Sequence, residues 1–160
     1  MPKPLVYIES SVISYLAARP SRDIIRRAKQ IETAAWWERR DLFDLLISTV
    51  VVEEAQKGHP DMAAKRMTYC AGIRSATLSD RAAILAAEVL RRTGLPESAR
   101  ADAVQIGIAA IEDADFLITW NLKHIAGAGH QPRIESACAA LGLRKPVICT
   151  PPQLMELGYA

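Results

Sequence analysis

The sequence is poor in the features that mark several large classes of protein. Its three cysteines, Cys70, Cys138 and Cys149, form no CxxC pair, so neither a disulfide scaffold nor a cysteine zinc site is expected. No apolar run reaches the roughly 18 residues that a transmembrane helix needs. The first residues also lack the long apolar segment of a secretory signal. These absences predict a reduced, cytoplasmic protein that does not contact a membrane.

Strong net charge and familiar cofactor motifs are missing as well. Twenty Lys and Arg against eighteen Asp and Glu leave a formal charge of +2, which by itself indicates neither nucleic acid nor membrane. No phosphate-binding loop occurs, and residues 127–129 (GAG) lack the third glycine of a dinucleotide fingerprint. A flavodoxin-like nucleotide binder is therefore disfavoured. The histidines share no zinc spacing, and His124 is expected to pack or hydrogen-bond near a strand end.

What the sequence does contain is enough apolar material for one domain. Its 160 residues fall within the usual size of a single domain, and half of them are hydrophobic, which excludes wholesale disorder. Short β-branched runs alternate with helical segments of ten or more residues, as in parallel sheets with crossover helices. We therefore predict an α/β protein, a three-layer α/β/α sandwich with a parallel central sheet, formed by residues 1–160 as a single domain.

The same patterns place the individual elements. Strands are predicted at 4–9, 42–47, 73–78, 115–119 and 146–149. Helices are predicted at 21–40, 49–57, 61–71, 80–93, 99–112 and 133–141, with a short helical turn at 122–125. In the first helix, Ile24, Ala28, Ile31 and Ala35 recur at helical spacing. Ser48, Ser79 and Ser98 are placed to cap helices, and glycines such as Gly94 mark their ends.

Positive charge is concentrated in one segment. Residues 19–40 hold seven basic and three acidic side chains, a net charge of +4, whereas the rest of the chain carries −2. Trp36 and Trp37 lie in this segment about 100° apart on a helix, so one can enter the core while the other stays at the surface. A basic segment with aromatic residues can bind a phosphate backbone or a protein partner. A solvated amphipathic helix is the alternative.

Asp102 is the most informative single residue. The helix around it, residues 101–111, is apolar on nearly every side, which marks a buried helix where a carboxylate needs a partner. Asp102 could stabilise the helix N-terminus and pair with a base such as Arg100. Alternatively, it could be one of several carboxylates that bind a divalent cation. Sites in parallel sheets form at the carboxyl ends of strands, where Glu9 and the run 119–121 (TWN) lie.

Three segments together resemble PIN domains, the family that includes the ribonuclease toxins of VapC-type toxin–antitoxin pairs. They are residues 7–14 (YIESSVIS), residues 48–54 (STVVVEE) and residues 102–125, which end in DFLITWNLKHI. Their order and spacing agree with that family over nearly the whole chain. The resemblance implies an endoribonuclease that depends on Mg²⁺ or Mn²⁺ and cleaves RNA to leave a 5′-phosphate and a 3′-hydroxyl. It also implies a homodimer and a cognate antitoxin.

The resemblance further implies which residues form the site. The implied catalytic residues are Glu9, Glu54, Asp102 and Asn121, of which the three acids would bind the metal, while Ser10 and Thr119 would line the pocket. Glu54 matches the family's second acid better than Glu53 does. Hard oxygen ligands suit Mg²⁺ or Mn²⁺, and such ions can activate water and neutralise a leaving oxygen. These side chains are therefore expected to converge at the strand ends.

Glu9 departs from the family pattern, which has Asp at this position. Its extra methylene carries the carboxylate about 1.5 Å further from the backbone. Mg²⁺ requires near-ideal geometry at roughly 2.0–2.1 Å, so the change could be accommodated, favour Mn²⁺ or weaken the site. A catalytically weak PIN-like module that binds RNA or a protein is therefore the alternative to a ribonuclease.

Overall fold

A parallel sheet of five strands forms the centre of this protein, seen in a computed structural model that describes residues 2–158. The strands are β1 (Leu5–Ile8), β2 (Asp44–Ser48), β3 (Arg74–Ala76), β4 (Phe116–Ile118) and β5 (Val147–Cys149). Their order across the sheet is β3-β2-β1-β4-β5, and every neighbouring pair is parallel. The strands are short and mostly buried because a parallel sheet is covered on both faces.

The helices form the two outer layers. They are α1 (Ser10–Ala17), α2 (Ile24–Trp37), α3 (Thr49–Ala55), α4 (Pro60–Cys70), α5 (Asp80–Thr93), α6 (Arg100–Ile111), α7 (Gln131–Ala140) and α8 (Pro151–Glu156). Helix α5 packs against α6 and α7, whereas α1 packs against α2, α3 and α4, and α2 contacts α8. The predicted three-layer α/β/α sandwich is confirmed.

The strand order reverses at the centre of the sheet. The chain runs outward from β1 through β2 to β3, and then returns to place β4 on the other side of β1. In the β1–β4 register, Ile8 lies opposite Ile118. The next residues, Glu9 and Thr119, therefore lie side by side at the end of the two strands. Because ligands of open parallel sheets bind where strand order reverses, this edge is where the functional site is expected.

The structure differs from the predicted elements in four places. Helices α1 and α8 were not predicted, and α2 is shorter at both ends than the predicted helix 21–40. Ser98 caps nothing, since a 3₁₀ turn at Glu97–Ala99 leads directly into α6 without a side-chain cap. By contrast, residues 122–125 form the predicted short turn, in which the Ile125 N–H donates to the Asn121 carbonyl at 3.2 Å. Helix α1 was not predicted because its N-cap is Glu9, and glutamate is not a preferred cap residue.

The apolar stripe of α2 faces solvent, not the core. Ile24 is 84% exposed and Ile31 54% exposed, and Ala28 and Ala35 are exposed between and beyond them. The buried face of α2 instead carries Gln30, Thr33 and Trp36. Gln30 and Thr33 can be buried because their polar atoms form hydrogen bonds to Ser21, Arg19, Lys29 and Trp120. The spacing identified the helix but not its inner face.

The two adjacent tryptophans take different environments, as predicted. Trp36 is fully buried in the core. Trp37 is half-buried, because Tyr69 packs edge-on against it at 5.4 Å and the Arg40 guanidinium lies 4.7 Å from its ring centre. The three cysteines are buried and unpaired, also as predicted. Between residues 2 and 158 no helix has the length and apolarity to cross a membrane.

Gly107 sets how closely α6, the helix of Asp102, approaches α5. A Cβ atom at Gly107 would lie 2.5 Å from the carbonyl oxygen of Ala82 on α5. We expect Gly107→Ala to lower the free energy of unfolding by about 1–3 kcal/mol through overpacking, although alanine is the better helix former by about 1 kcal/mol. Urea unfolding measures the change. Ala101→Gly, at an exposed position of α6, isolates helix propensity, and an unchanged or more stable Gly107→Ala would contradict the packing argument.

Candidate active site

Glu9 is fixed at the end of β1 by contacts to β4 and α1. Its backbone N–H donates to the Ile118 carbonyl at 3.1 Å. Its side chain is only 4% exposed, and Oε2 accepts hydrogen bonds from the Ser11 N–H at 2.9 Å and from Thr119 Oγ1 at 2.9 Å. The Ser11 hydroxyl also donates to this oxygen. The position of the Glu9 carboxylate is therefore determined by three donors.

The environment of Glu9 opposes a negative charge. Burial raises the pKa of the Glu9 carboxyl, the hydrogen bonds from Ser11 and Thr119 counteract that rise in part, and the charge of Asp102 adds to it. Asp102 thus lies close enough for its charge to be felt at Glu9. A cation bound beside Glu9 would offset this cost of holding a negative charge there.

Asp102 is paired with a histidine. It lies in the first turn of α6, and its Oδ2 accepts a hydrogen bond from His124 Nδ1 at 2.9 Å, with only 18% of the Asp102 side chain and 20% of the His124 side chain exposed. The base is His124 and not Arg100, which pairs with Glu97. The structure therefore bears out the alternative that Asp102 lies in the first turn of its helix and pairs with a base. The hydrogen bond of His124 near a strand end agrees with the prediction.

Asn121 organises the turn that presents His124. Its backbone N–H donates to Thr119 Oγ1 at 2.8 Å, and its side-chain Oδ1 accepts from the His124 N–H at 2.9 Å. The carbonyl of Asn121 accepts from Ile125 and Ala126. Thr119 therefore links the two halves of the site, since its hydroxyl binds both Glu9 and the Asn121 backbone. The Asn121 Nδ2 group donates to no other residue in the described range 2–158, so it can donate to a ligand.

A buried network lies beneath the acids. The Tyr7 hydroxyl is 2.8 Å from Ser48 Oγ and donates to Gln105 Oε1 at 3.1 Å. Gln105 Nε2 donates in turn to Ser10 Oγ at 3.3 Å. The Ser10 hydroxyl, predicted to line the pocket, is therefore bound to α6. Since these residues come from β1, β2, α1 and α6, the network holds together the elements that carry the acids.

Glu54, not Glu53, is the acid of α3 that faces inward. Ser48 caps α3 as predicted, its Oγ accepting from Val51 N–H at 3.5 Å. Glu54 is half-buried, whereas Glu53 is exposed. Burial raises the pKa of the Tyr7 hydroxyl, and the charges of both Glu9 and Glu54 add to that rise. Tyr7 therefore lies within electrostatic reach of both acids.

The donor chemistry of these acids fits a hard divalent cation. Glu9 Oε1, Asp102 Oδ1 and the Glu54 carboxylate accept no hydrogen bond from residues 2–158. Over the same residues no three His, Cys, Asp or Glu side chains form a ready-made metal site. Mg²⁺ is usually held by one or two carboxylates together with waters and substrate phosphates, so Glu9 and Asp102 suffice in kind. Convergence of Glu9, Glu54, Asp102 and Asn121 on one pocket, with the three acids as metal ligands, stays a prediction.

Ser11 and Gln105 are residues of this edge that the sequence analysis did not identify. Ser11 binds Glu9 and also accepts from the Trp120 N–H at 2.8 Å. Nothing local distinguishes Ser11 from Ser10. Gln105 did leave a signal, because it is the one polar side chain in the apolar run 103–111. Such a residue in a fully buried helix must be hydrogen-bonded.

Comparison with known proteins adds the fold relationship. No family model matches the chain, and no curated protein matches its sequence. VapC20 of Mycobacterium tuberculosis, described as a sarcin–ricin loop cleaving toxin, is 14% identical with a TM-score of 0.59 over 77% of this chain and 95% of that one. FitAB bound to an IR36 DNA fragment is 15% identical, with a TM-score of 0.58 over 91% and 94% of the two chains.

A third solved structure is that of VapBC2 from Rickettsia felis bound to a DNA fragment from its promoter. It is 15% identical, with a TM-score of 0.52 over 74% of this chain and 89% of that one. At such identities the likeness concerns the fold. The resemblance to PIN domains is therefore confirmed in the architecture, and this chain has the fold of the VapC toxins.

Proposed function

We propose that this protein is a metal-dependent endoribonuclease that hydrolyses RNA phosphodiester bonds and is the toxin of a type II toxin–antitoxin pair. One observation carries the proposal. Glu9 follows β1 against the end of β4, and Asp102 is bonded to the turn after β4, so both acids lie at the strand-order reversal, in the fold of VapC20, a toxin described as cleaving the sarcin–ricin loop. Carboxylates in that position are the ligands that a phosphodiester-cleaving metal site requires.

Each residue has a separate task in this proposal. Glu9 Oε1 and Asp102 Oδ1, with Glu54 beside them, would hold Mg²⁺ or Mn²⁺, which supplies an activated water and charge neutralisation at the leaving oxygen. Ser11 and Thr119 orient Glu9. His124 orients Asp102. Asn121 Nδ2 would donate to a phosphate oxygen of the RNA.

The test is a cleavage assay on a structured RNA with Mn²⁺, with Mg²⁺ and with EDTA. We expect products with 5′-phosphate and 3′-hydroxyl ends in at least one metal and none in EDTA. The competing function is a catalytically weak module that binds RNA, which is favoured by one observation: three donors already occupy Glu9 Oε2. Binding of the RNA without cleavage in either metal would support that module and reject the enzyme.

We also propose a cognate antitoxin as a partner and the cytoplasm as the compartment. Two of the similar structures, VapBC2 and FitAB, are bound to DNA, the former to its promoter. A cognate antitoxin would need a contact surface on this chain. The basic segment 19–40, which carries +4, suits an acidic part of such a partner.

We propose a homodimer through the outer α2 stripe, formed by Ile24, Ala28, Ile31 and Ala35. A contiguous exposed apolar surface of this kind marks an interaction site. We expect wild-type protein to scatter light with twice the 17.5 kDa mass of one chain, and Ile31→Glu to scatter as a monomer. Ile84→Glu, at a position 56% exposed on α5, should stay dimeric. A monomeric wild type at micromolar concentration would reject the dimer.

A further inference from the structure

A cleft between α1 and α2 lies beside the candidate site and has no role in the function proposed so far. Its volume is about 150 Å³, and it is lined by Ser14, Tyr15, Ala18, Arg26 and Gln30. Both polar atoms of the Gln30 side chain are already hydrogen-bonded: Oε1 accepts from the Ser21 N–H, and Nε2 donates to the Arg19 carbonyl. The polar and aromatic groups left to meet a ligand are therefore the Tyr15 ring, the Arg26 guanidinium and the Ser14 hydroxyl.

Trp120 connects this α1–α2 cleft to the candidate acids. Its ring lies 5.9 Å from the Tyr15 ring, and its Nε1 donates to Thr33 Oγ1 of α2 at 2.8 Å. Its backbone N–H donates to Ser11 Oγ, and the Ser11 hydroxyl donates to Glu9. The cleft and Glu9 are thus separated by only two intervening residues in a continuous set of contacts.

The cations around the cleft are not neutralised. Arg22, Arg26 and Lys29 form no ion pair with any residue among 2–158, and Lys29 Nζ lies 5.4 Å from the Trp120 ring centre. Among the same residues Arg27, Arg39 and Arg133 also form no ion pair, whereas Arg91 pairs with Glu88 and Arg144 with Asp113. Asp23, the acid nearest to Arg22 and Arg26 in sequence, is used as the N-cap of α2. Glu32, the acid nearest to Lys29, is exposed. Uncompensated cations beside the half-buried rings of Tyr15 and Trp120 favour an anionic ligand with a ring, the chemistry of a nucleotide.

We propose that the α1–α2 cleft is a subsite for one nucleotide of single-stranded RNA adjacent to the bond that the candidate site cleaves. Arg26 and Lys29 contact backbone phosphates, and Tyr15 stacks on the base. The assignment rests on the proposed ribonuclease function. RNA is favoured over a protein partner because the apolar residues of α2 lie on the outer α2 stripe, on the side of the helix away from its buried face.

Binding of a short fluorescein-labelled single-stranded RNA, followed by anisotropy in EDTA, tests the subsite without cleavage. We expect Arg26→Ala and Lys29→Ala each to weaken binding several-fold and to reduce the slope of log K against log salt by about 0.7, the value for one lost phosphate contact. Tyr15→Ala should weaken binding about tenfold, as expected for one base-stacking contact. Circular dichroism confirms that each variant is folded.

Arg91→Ala is the matched control, since it removes one exposed cation from the far end of α5 and leaves Glu88 paired with Arg92. Unchanged affinity and slope in the Arg26 and Lys29 variants, or an equal loss in the control, would reject the subsite. Weakened binding of a glutamate-rich peptide in the Arg26 and Lys29 variants, with unchanged binding of the RNA, would assign the two cations to a protein partner instead. Loss of binding in the variants of a protein that cleaves no RNA would leave the subsite standing and reject only the nuclease.

Discussion

Replacing Asp102 by Asn should reduce metal-dependent RNA cleavage by more than about 100-fold, because losing even an outer partner of a metal ligand costs about 10- to 100-fold. The fold should persist. The amide keeps the size of the carboxylate and an oxygen that can accept from His124 Nδ1. The substitution also removes the Asp102 charge, which adds to the rise that burial causes in the pKa of Glu9. Initial rates at saturating Mn²⁺ and thermal unfolding curves measure the two effects.

Asp113→Asn is a suitable control for that substitution. Asp113 has a side chain that is 75% exposed and lies at the turn before β4 with a φ of 54°, a backbone conformation that asparagine also tolerates. The Asp113→Asn variant should cleave RNA at the wild-type rate. Cleavage at the wild-type rate by Asp102→Asn would show that the metal chemistry assigned to this site is wrong.

Replacing Glu9 by Gln should abolish cleavage and stabilise the metal-free protein at neutral pH by about 0.5–2 kcal/mol, the usual gain when a functional compromise is removed. The sign follows from the raised pKa of Glu9 in the folded state. Between the ordinary carboxyl pKa and this higher one, the folded protein binds a proton that the unfolded chain has released. Wild-type stability therefore falls as pH rises through that window, and the neutral amide of Gln has no such loss.

Urea unfolding in EDTA at acidic and at neutral pH measures this difference. The advantage of Glu9→Gln should grow from the acidic to the neutral sample. Glu53→Gln makes the same chemical change at an exposed position of α3 and should show no such pH dependence. An advantage that shrinks towards neutral pH, or a variant that still cleaves RNA, would contradict the argument.

Most of the fold could be predicted because its signals are local. Parallel strands are buried on both faces and appear as short apolar runs, such as Phe116–Ile118 in β4. Helix α5 begins at Asp80 after its Ser79 cap and ends before Gly94 at a φ of 68°, both recognisable from residue type. Helix α1 was missed because its cap, Glu9, acts through a residue type that rarely caps helices.

The orientation of α2 could not be predicted, although its existence could. Helical spacing shows that Ile24 and Ile31 share a face, but it does not show what that face contacts. Gln30 and Thr33 occupy the inner face because groups distant in sequence, such as the indole of Trp120, complete their hydrogen bonds. Hydrophobicity alone would have turned the helix the other way.

The sequence by itself determined which acids are candidates for the site and where along the chain the apolar strands lie. Both are properties of residue type and local spacing. The tertiary structure decided which partners those acids have. Glu9 is bonded to Thr119, 110 positions away, and Asp102 to His124, 22 positions away. These pairs exist because β4 returns to lie beside β1 and the following turn presents His124 to α6, and contacts made by chain reversal leave no trace in local sequence.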